Sequence, residues 1–143
     1  MSDLPQADKI SGLPHPNETE RLFGHDAPQA QVLEAINGDR VHHAWMLTGP
    51  KGIGKATFAY HIARFLLAQD PPSGSLFGTP PHVTSLDVPP DHSVVSRIRA
   101  GSEPGLCVLR RPLDEKTGKL KTVITVDTVR ELRKFFSLSA RGN

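Results

Sequence analysis

The sequence predicts an α/β fold with a parallel sheet, and two observations predict it. Short apolar runs that read as strands alternate with longer stretches of helical period. A glycine-rich loop, Gly49 to Lys55, lies between the first such run and the helix after it. The predicted order is helix, strand, glycine loop, helix, long loop, helix, strand, helix.

Each element has its own signal. Residues 1–16 read as a flexible arm, because Pro5, Gly12, Pro14 and Pro16 interrupt any helical period. Order is expected from Asn17 to Phe23 onward, with residues 17–143 forming one partial domain. Ala27 to Ile36 reads as a helix, with Val32, Leu33 and Ile36 on one face and Gly38 as its stop. His43 to Leu47 is a short apolar run ending in Thr48-Gly49-Pro50, the pattern of a buried strand entering a loop. Gly54 to Ala68 should be a helix that is apolar nearly all round, with Phe58, Ile62, Phe65 and Leu66 on one face. Residues 70–92 carry Pro71, Pro72, Pro80, Pro81, Pro89 and Pro90 and read as a long proline-rich loop, a functional insertion or a lid. Asp91 is expected to cap a short helix through Ile98. Leu106 to Leu109 is a second buried-strand candidate and Val123 to Val126 a weaker one. Leu113 to Lys121 reads as a polar turn built on Lys116-Thr117-Gly118-Lys119. Asp127 is read as the N-cap of a last helix carrying Val129, Leu132, Phe135 and Phe136. Two good strands and one weak one fall short of the usual sheet of about five or six. The last helix reaches Asn143 with nothing after it to pack against, so the domain is expected to be truncated there.

The chain of 143 residues has room for about one domain. With 37% hydrophobic and 22% charged residues it falls outside the range of disordered chains. No run approaches the roughly 18 apolar residues of a membrane span. The acidic, proline-containing start does not resemble a secretory leader. Cys107 is the only cysteine, which excludes an internal disulfide and a Cys-rich zinc site and favours a reducing cytoplasm. Net charge is +2, but residues 1–96 hold 6 Lys/Arg against 10 Asp/Glu while residues 97–143 hold 11 against 5. A basic final third could face nucleic acid or an acidic partner. An ordinary solvated helix face plus a basic turn fits better, since no aromatic residues interleave the charges for base stacking.

Gly49-Pro50-Lys51-Gly52-Ile53-Gly54-Lys55 matches G-x-x-x-x-G-K, the phosphate-binding P-loop. The glycines let successive N–H groups curl around phosphate oxygens, and the helix that follows adds its positive N-terminal dipole. Lys55 would neutralise the β and γ phosphates. The motif is short, so its weight comes from its position between a predicted strand and a predicted helix. Ala56 stands where the motif has Ser or Thr, whose hydroxyl holds Mg²⁺. Thr57 is one residue along, about 100 degrees round the helix. Two readings stay open: a site that binds ATP weakly without hydrolysing it, and a loop kept for its shape.

A hydrolytic P-loop protein also needs an acid at the end of an apolar strand. Val123 to Asp127 fits superficially, but Asp127 fits a helix cap better, and Leu106 to Leu109 runs into Arg110-Arg111. No catalytic acid is therefore assigned. His42, His43, His82 and His92 lack the convergence a zinc site needs and read as polar surface or strand-end residues. Cys107 and Trp45 read as core.

Leu22-Phe23-Gly24-His25, followed by His42-His43-Ala44-Trp45-Met46-Leu47-Thr48 and the loop itself through Lys55-Ala56-Thr57-Phe58-Ala59-Tyr60, resembles the AAA+ modules of bacterial clamp loaders. Among these it is most similar to the delta-prime subunits of DNA polymerase III. Ala63 to Leu67, Arg97 to Leu109 and Ile124 to Leu138 extend the likeness over about residues 17–140. The resemblance implies a partial AAA+ P-loop NTPase domain whose Walker B strand would follow residue 143. It implies that residues 22–25 lie near an adenine pocket. It implies a cofactor-binding set of Gly49, Pro50, Lys51, Gly52, Ile53, Gly54, Lys55, Ala56 and Thr57, with ATP as the cofactor. Delta-prime subunits often have a degraded P-loop, act as a stator and present an arginine finger in a Ser-Arg-Cys motif. That motif is missing here, as is the four-cysteine zinc module of many relatives.

The reading that follows is a delta-prime-like subunit in a hetero-oligomeric ring with delta and tau/gamma-type subunits. The ring would use ATP to place a sliding clamp on primed DNA, without a membrane partner. ATPase activity of the chain's own is not expected, given Ala56 and the missing Walker B acid. The rival reading is another P-loop nucleotide-binding protein: an AAA+ helicase loader or motor, a small-molecule kinase or a stand-alone ATPase.

Overall fold

The computed structural model describes residues 5–38, 42–69 and 82–139. Four helices carry its order: α1 (Asp26–Asn37), α2 (Lys55–Ala68), α3 (Ser93–Ala100) and α4 (Val126–Ser139). The chain divides into two compact units, residues 16–102 in one and residues 1–15 with 103–143 in the other.

The expected parallel sheet is absent from the described residues, which overturns the α/β P-loop NTPase (AAA+) fold. The only β pairing among them is an isolated antiparallel bridge between Leu113 and Leu120. The three apolar runs read as strands are unpaired, and several of their side chains face solvent. Met46 is 86% exposed and Val123 61%, and Trp45, Val108 and Ile124 also lie on the surface. The physical reason is that a short apolar run has no period of its own, so its sequence cannot distinguish a buried strand from an extended connection. A strand also needs a neighbour to take its N–H and C=O groups. Trp45, expected in the core, instead stacks edge-to-face on His42 with ring centroids 5.1 Å apart. Cys107, also expected to be buried, is only half-buried.

The unit of residues 16–102 holds the main core. Val32 of α1 meets Phe58, Ile62 and Phe65 of α2, and Leu86 of the extended segment 82–88 fills the space among them with no exposed surface. The apolar i, i+4, i+7 spacing of Phe58, Ile62 and Phe65 puts all three on one helix face. Leu22, Leu33, Ile36, Leu47, Val83 and Val88 close the edges. Asn37 fixes the segment's start: its Nδ2 donates to Val83 O and its Oδ1 accepts from Val83 N, both at 2.8 Å.

α3 packs on α2 through Val94, Val95 and Ile98. Its cap is His92 rather than Asp91, the imidazole Nδ1 accepting from Val94 N at 3.2 Å. Gly101, at φ 68°, ends the helix, with Ser102 N donating to Arg97 O at 2.9 Å and Gly101 N to Ile98 O. That is the left-handed terminator glycine adopts at least cost.

Two polar side chains lie buried on α2. Arg64 Nη2 donates to Thr19 O at 2.8 Å and Pro16 O at 3.3 Å, tying residues 16–19 to the helix. Asn17 continues the tie by donating to Ile98 O at 3.2 Å. His61 Nε2 lies 3.5 Å from Asp87 Oδ1 and has no hydrogen-bond partner among the described residues. Burial depresses the His61 pKa below its usual value. Asp87 opposes that shift and Arg64 adds to it, so near neutral pH the contact is not an ion pair.

In the second unit, Asp8 pairs with Arg110 at 2.7 Å, and His15 lies 3.7 Å from the same carboxylate. The polar turn expected at Leu113–Lys121 is present. Asp114 N donates to Lys119 O, Lys121 N to Pro112 O, and Gly118 sits at φ 65°. The Asp114 carboxylate accepts from Thr117 N and Lys116 N, and these bonds hold its pKa below the usual value. α4 begins one residue before Asp127. Thr125 takes the capping role, accepting from Thr128 N through Oγ1 and from Val129 N through its carbonyl. Asp127 sits in the first turn, paired with Arg130 at 2.8 Å. There it complements the helix dipole but closes no orphan N–H.

Candidate functional site

The Gly49–Thr57 stretch forms a loop that turns into the head of α2. Three of its glycines have positive φ: Gly49 at 142°, Gly52 at 85° and Gly54 at 99°. Side-chain-bearing residues rarely adopt these angles, so the loop's path requires glycine at those positions. Gly54 is the N-cap of α2, and Phe58 N closes the first helical bond on Gly54 O at 2.9 Å. The N–H groups of the first helical turn have no partner inside a helix, and they point back toward the loop.

Lys55 is the first residue of α2. Its Nζ donates to Gly49 O at 2.9 Å and to Pro50 O at 2.7 Å. The ammonium therefore folds onto the loop's own carbonyls. Lys51 lies exposed, Ile53 is half-exposed, and Ala56 and Thr57 are partly buried in the first turn. Positive-φ glycines and a lysine at a helix head are the parts a phosphate cradle uses. They do not fit Mg²⁺, since Ala56 supplies no oxygen where the motif's hydroxyl would be.

A cleft of about 270 Å³ opens beside the loop. Lys55, Ile53, Thr48, Gln31, His25 and Phe58 are among its walls. A Cβ added at Gly54 would lie 3.4 Å from His25 Cε1 and 3.7 Å from Leu22 Cδ1. His25 rests on Phe58, ring centroids 5.8 Å apart, and its Nδ1 is 2.7 Å from Phe23 O. Sequence reasoning reached His25 only through the resemblance of residues 22–25 and gave it no role. No spacing rule links it to a loop 24 residues downstream of it. No Asp or Glu is among those walls.

The histidines at 42 and 43 are exposed. Among the described residues no three His, Cys, Asp or Glu side chains converge to hold a metal. Among the same residues no helix is long and apolar enough to cross a membrane.

Fold and site together define a mostly helical chain that carries a glycine–lysine loop at a helix head. The family described as DNA polymerase III, delta subunit, matches residues 25–143, and this chain belongs to that family. It is a clamp-loader-related family of DNA polymerase III subunits that serves DNA replication and associates with clamp-loader components. No curated protein and no solved structure matches the chain.

Proposed function

We propose that this chain acts as a delta-prime-type subunit of the clamp loader. It works through contacts with delta and tau/gamma-type neighbours in a cytoplasmic ring that loads the sliding clamp on primed DNA. We further propose that Gly49–Lys55 binds the phosphates of ATP without turning it over. The observation that carries this reading is the loop itself: three positive-φ glycines leading into a helix head with Lys55 at its mouth. Ala56 supports binding without hydrolysis, because the hydroxyl that would help hold Mg²⁺ is missing. Bound there, ATP would supply a triphosphate whose charge Lys55 neutralises. Lys55 must first leave the Gly49 and Pro50 carbonyls, so binding exchanges two neutral acceptors for charged ones.

The test is a titration with a fluorescent ATP analogue, with and without Mg²⁺, on the wild type and Lys55→Ala. Binding that ignores Mg²⁺ and is lost in the variant is expected. No binding by a folded wild-type chain overturns the nucleotide reading. The subunit reading is tested separately, by co-purification with delta and tau/gamma-type subunits.

A further inference from the structure

His61 is a buried titratable group that lies outside the candidate site. Its side chain is 7% exposed, and Nε2 has no hydrogen-bond partner among the described residues. A buried imidazole in that position is favoured neutral, because the imidazolium would give up its water without a partner in exchange. Few groups could offset the loss. Glu20, on the stretch before α1, is paired with Arg99 at 2.8 Å. Arg64, further along α2, opposes a second positive charge. α3 contributes only Val95 to the pocket that His61 lines. That leaves Asp87, with Oδ1 3.5 Å from Nε2. Its side chain is 81% exposed, so water screens its pull. Its other oxygen accepts from Ser85 Oγ at 2.7 Å. Burial outweighs Asp87, which agrees with the lowered pKa of His61.

The chain beside His61 is lightly held. Asp87, Pro89 and Pro90 are exposed and Val88 is half-buried. Among the described residues, the hydrogen bonds of 87–90 run along the chain. Asp87 N donates to Ser85 Oγ at 3.0 Å, and Pro89 O accepts from His92 N at 3.0 Å. Pro89 and Pro90 have no N–H to donate. The stretch is fixed only at its ends, by Leu86 in the core and by His92 at the cap of α3. Asp87, Val88 and Pro90 share with His61 and Arg64 the walls of a pocket of about 170 Å³. That space would hold about five waters at roughly 30 Å³ each.

We propose that residues 87–90 are an acid-operated lid: protonation of His61 is met by water entering this pocket, and the stretch lifts from α2 between Leu86 and His92. A proton bound more tightly with the lid open raises the open population as pH falls. The rise is at most about 10-fold per pH unit, beginning near the ordinary imidazole value of about 6.5.

The experiment follows the methyl resonances of Val88, which packs on the core, and of Leu86 by NMR from pH 7.5 to 5. Circular dichroism at each pH reports the helices. In the wild type the Val88 methyls are expected to shift toward solvent-exposed values below about pH 6.5, with Leu86 and the helices unchanged. His61→Gln removes the titration and retains His92, so an acid effect that arises at the α3 cap persists in that variant. Asp87→Asn is the second variant, at an exposed position. It removes the charge that favours imidazolium with the lid shut, so its lid should open further at the same acid pH. Val88 methyls that ignore pH overturn the inference. So does the same titration in His61→Gln, or a lid that opens less in Asp87→Asn. Loss of Leu86 packing and helix signal with the same midpoint also overturns it, since the whole unit would then be unfolding.

Discussion

Lys55 Nζ lies 2.9 Å from the carbonyl oxygen of Gly49, so the loop's cation is held by the residue that opens the loop. The contact is exposed, and its second acceptor, Pro50 O, is exposed as well. Exposed hydrogen bonds of this kind exchange readily with water and contribute modestly to stability.

Lys55→Ala is therefore expected to lower stability by no more than about 1.5 kcal/mol. Its effect should appear in linkage instead. A ligand at 100 times its Kd stabilises the wild type by about 2.7 kcal/mol, and the same concentration should leave the variant's melting temperature unchanged. Thermal melts of both proteins with and without inorganic triphosphate decide the point.

Leu86 is the best-sealed side chain of the core, with no exposed surface. Leu86→Ala removes its contacts with both helices and leaves a cavity at the centre. A loss of about 2–5 kcal/mol is expected, read from the urea midpoint at constant m-value. Leu86→Met should cost less than about 1.5 kcal/mol, because volume is conserved.

Arg64 is 4% exposed and holds the Thr19 and Pro16 carbonyls. Arg64→Met keeps much of the stem packing and removes the donors. It should destabilise by about 1–3 kcal/mol, the cost of carbonyls left without their partner. Lysine is not expected to rescue it fully, since a single ammonium lacks the planar fork. Hydrogen exchange should show residues 16–20 losing protection before α2 does.

Burial lowers the His61 pKa in the folded state below the ordinary 6.5, against the opposing pull of Asp87. Between those two values the unfolded chain binds more protons, so stability rises with pH there. Acidification from about 6.5 downward therefore removes stability, until the folded-state pKa is passed. Urea midpoints measured from pH 7.5 to 5 should fall for the wild type and fall less for His61→Gln.

The helices were legible because their signals are local. The face of Phe58, Ile62 and Phe65, the Gly38 stop and the start of α2 at Gly54–Lys55 all follow from spacing and backbone freedom. The caps were read less well. Asp91 and Asp127 both have the right chemistry, but His92 and Thr125 occupy the capping positions. A capping propensity covers several neighbouring residues, and only the chain's entry direction selects among them. The sheet was misread because a run such as His43 to Leu47 is apolar without being periodic, and pairing is a property of two segments at once. The loop of the candidate site was legible from its glycines. His25 was not, since its place beside Gly54 is set by the packing of Phe58 and Leu22.

The paired bonds between Asn37 and Val83 span 46 residues of sequence with one side chain. An amide that both donates to and accepts from one backbone residue acts as a docking address. It specifies where the chain must land after leaving α2, whatever route lies between Gln69 and His82. Loop closure costs only about 0.6 kcal/mol for each doubling of length. The landing point of Leu86 is thus set by an amide on α1 and not by the length of chain closed behind it.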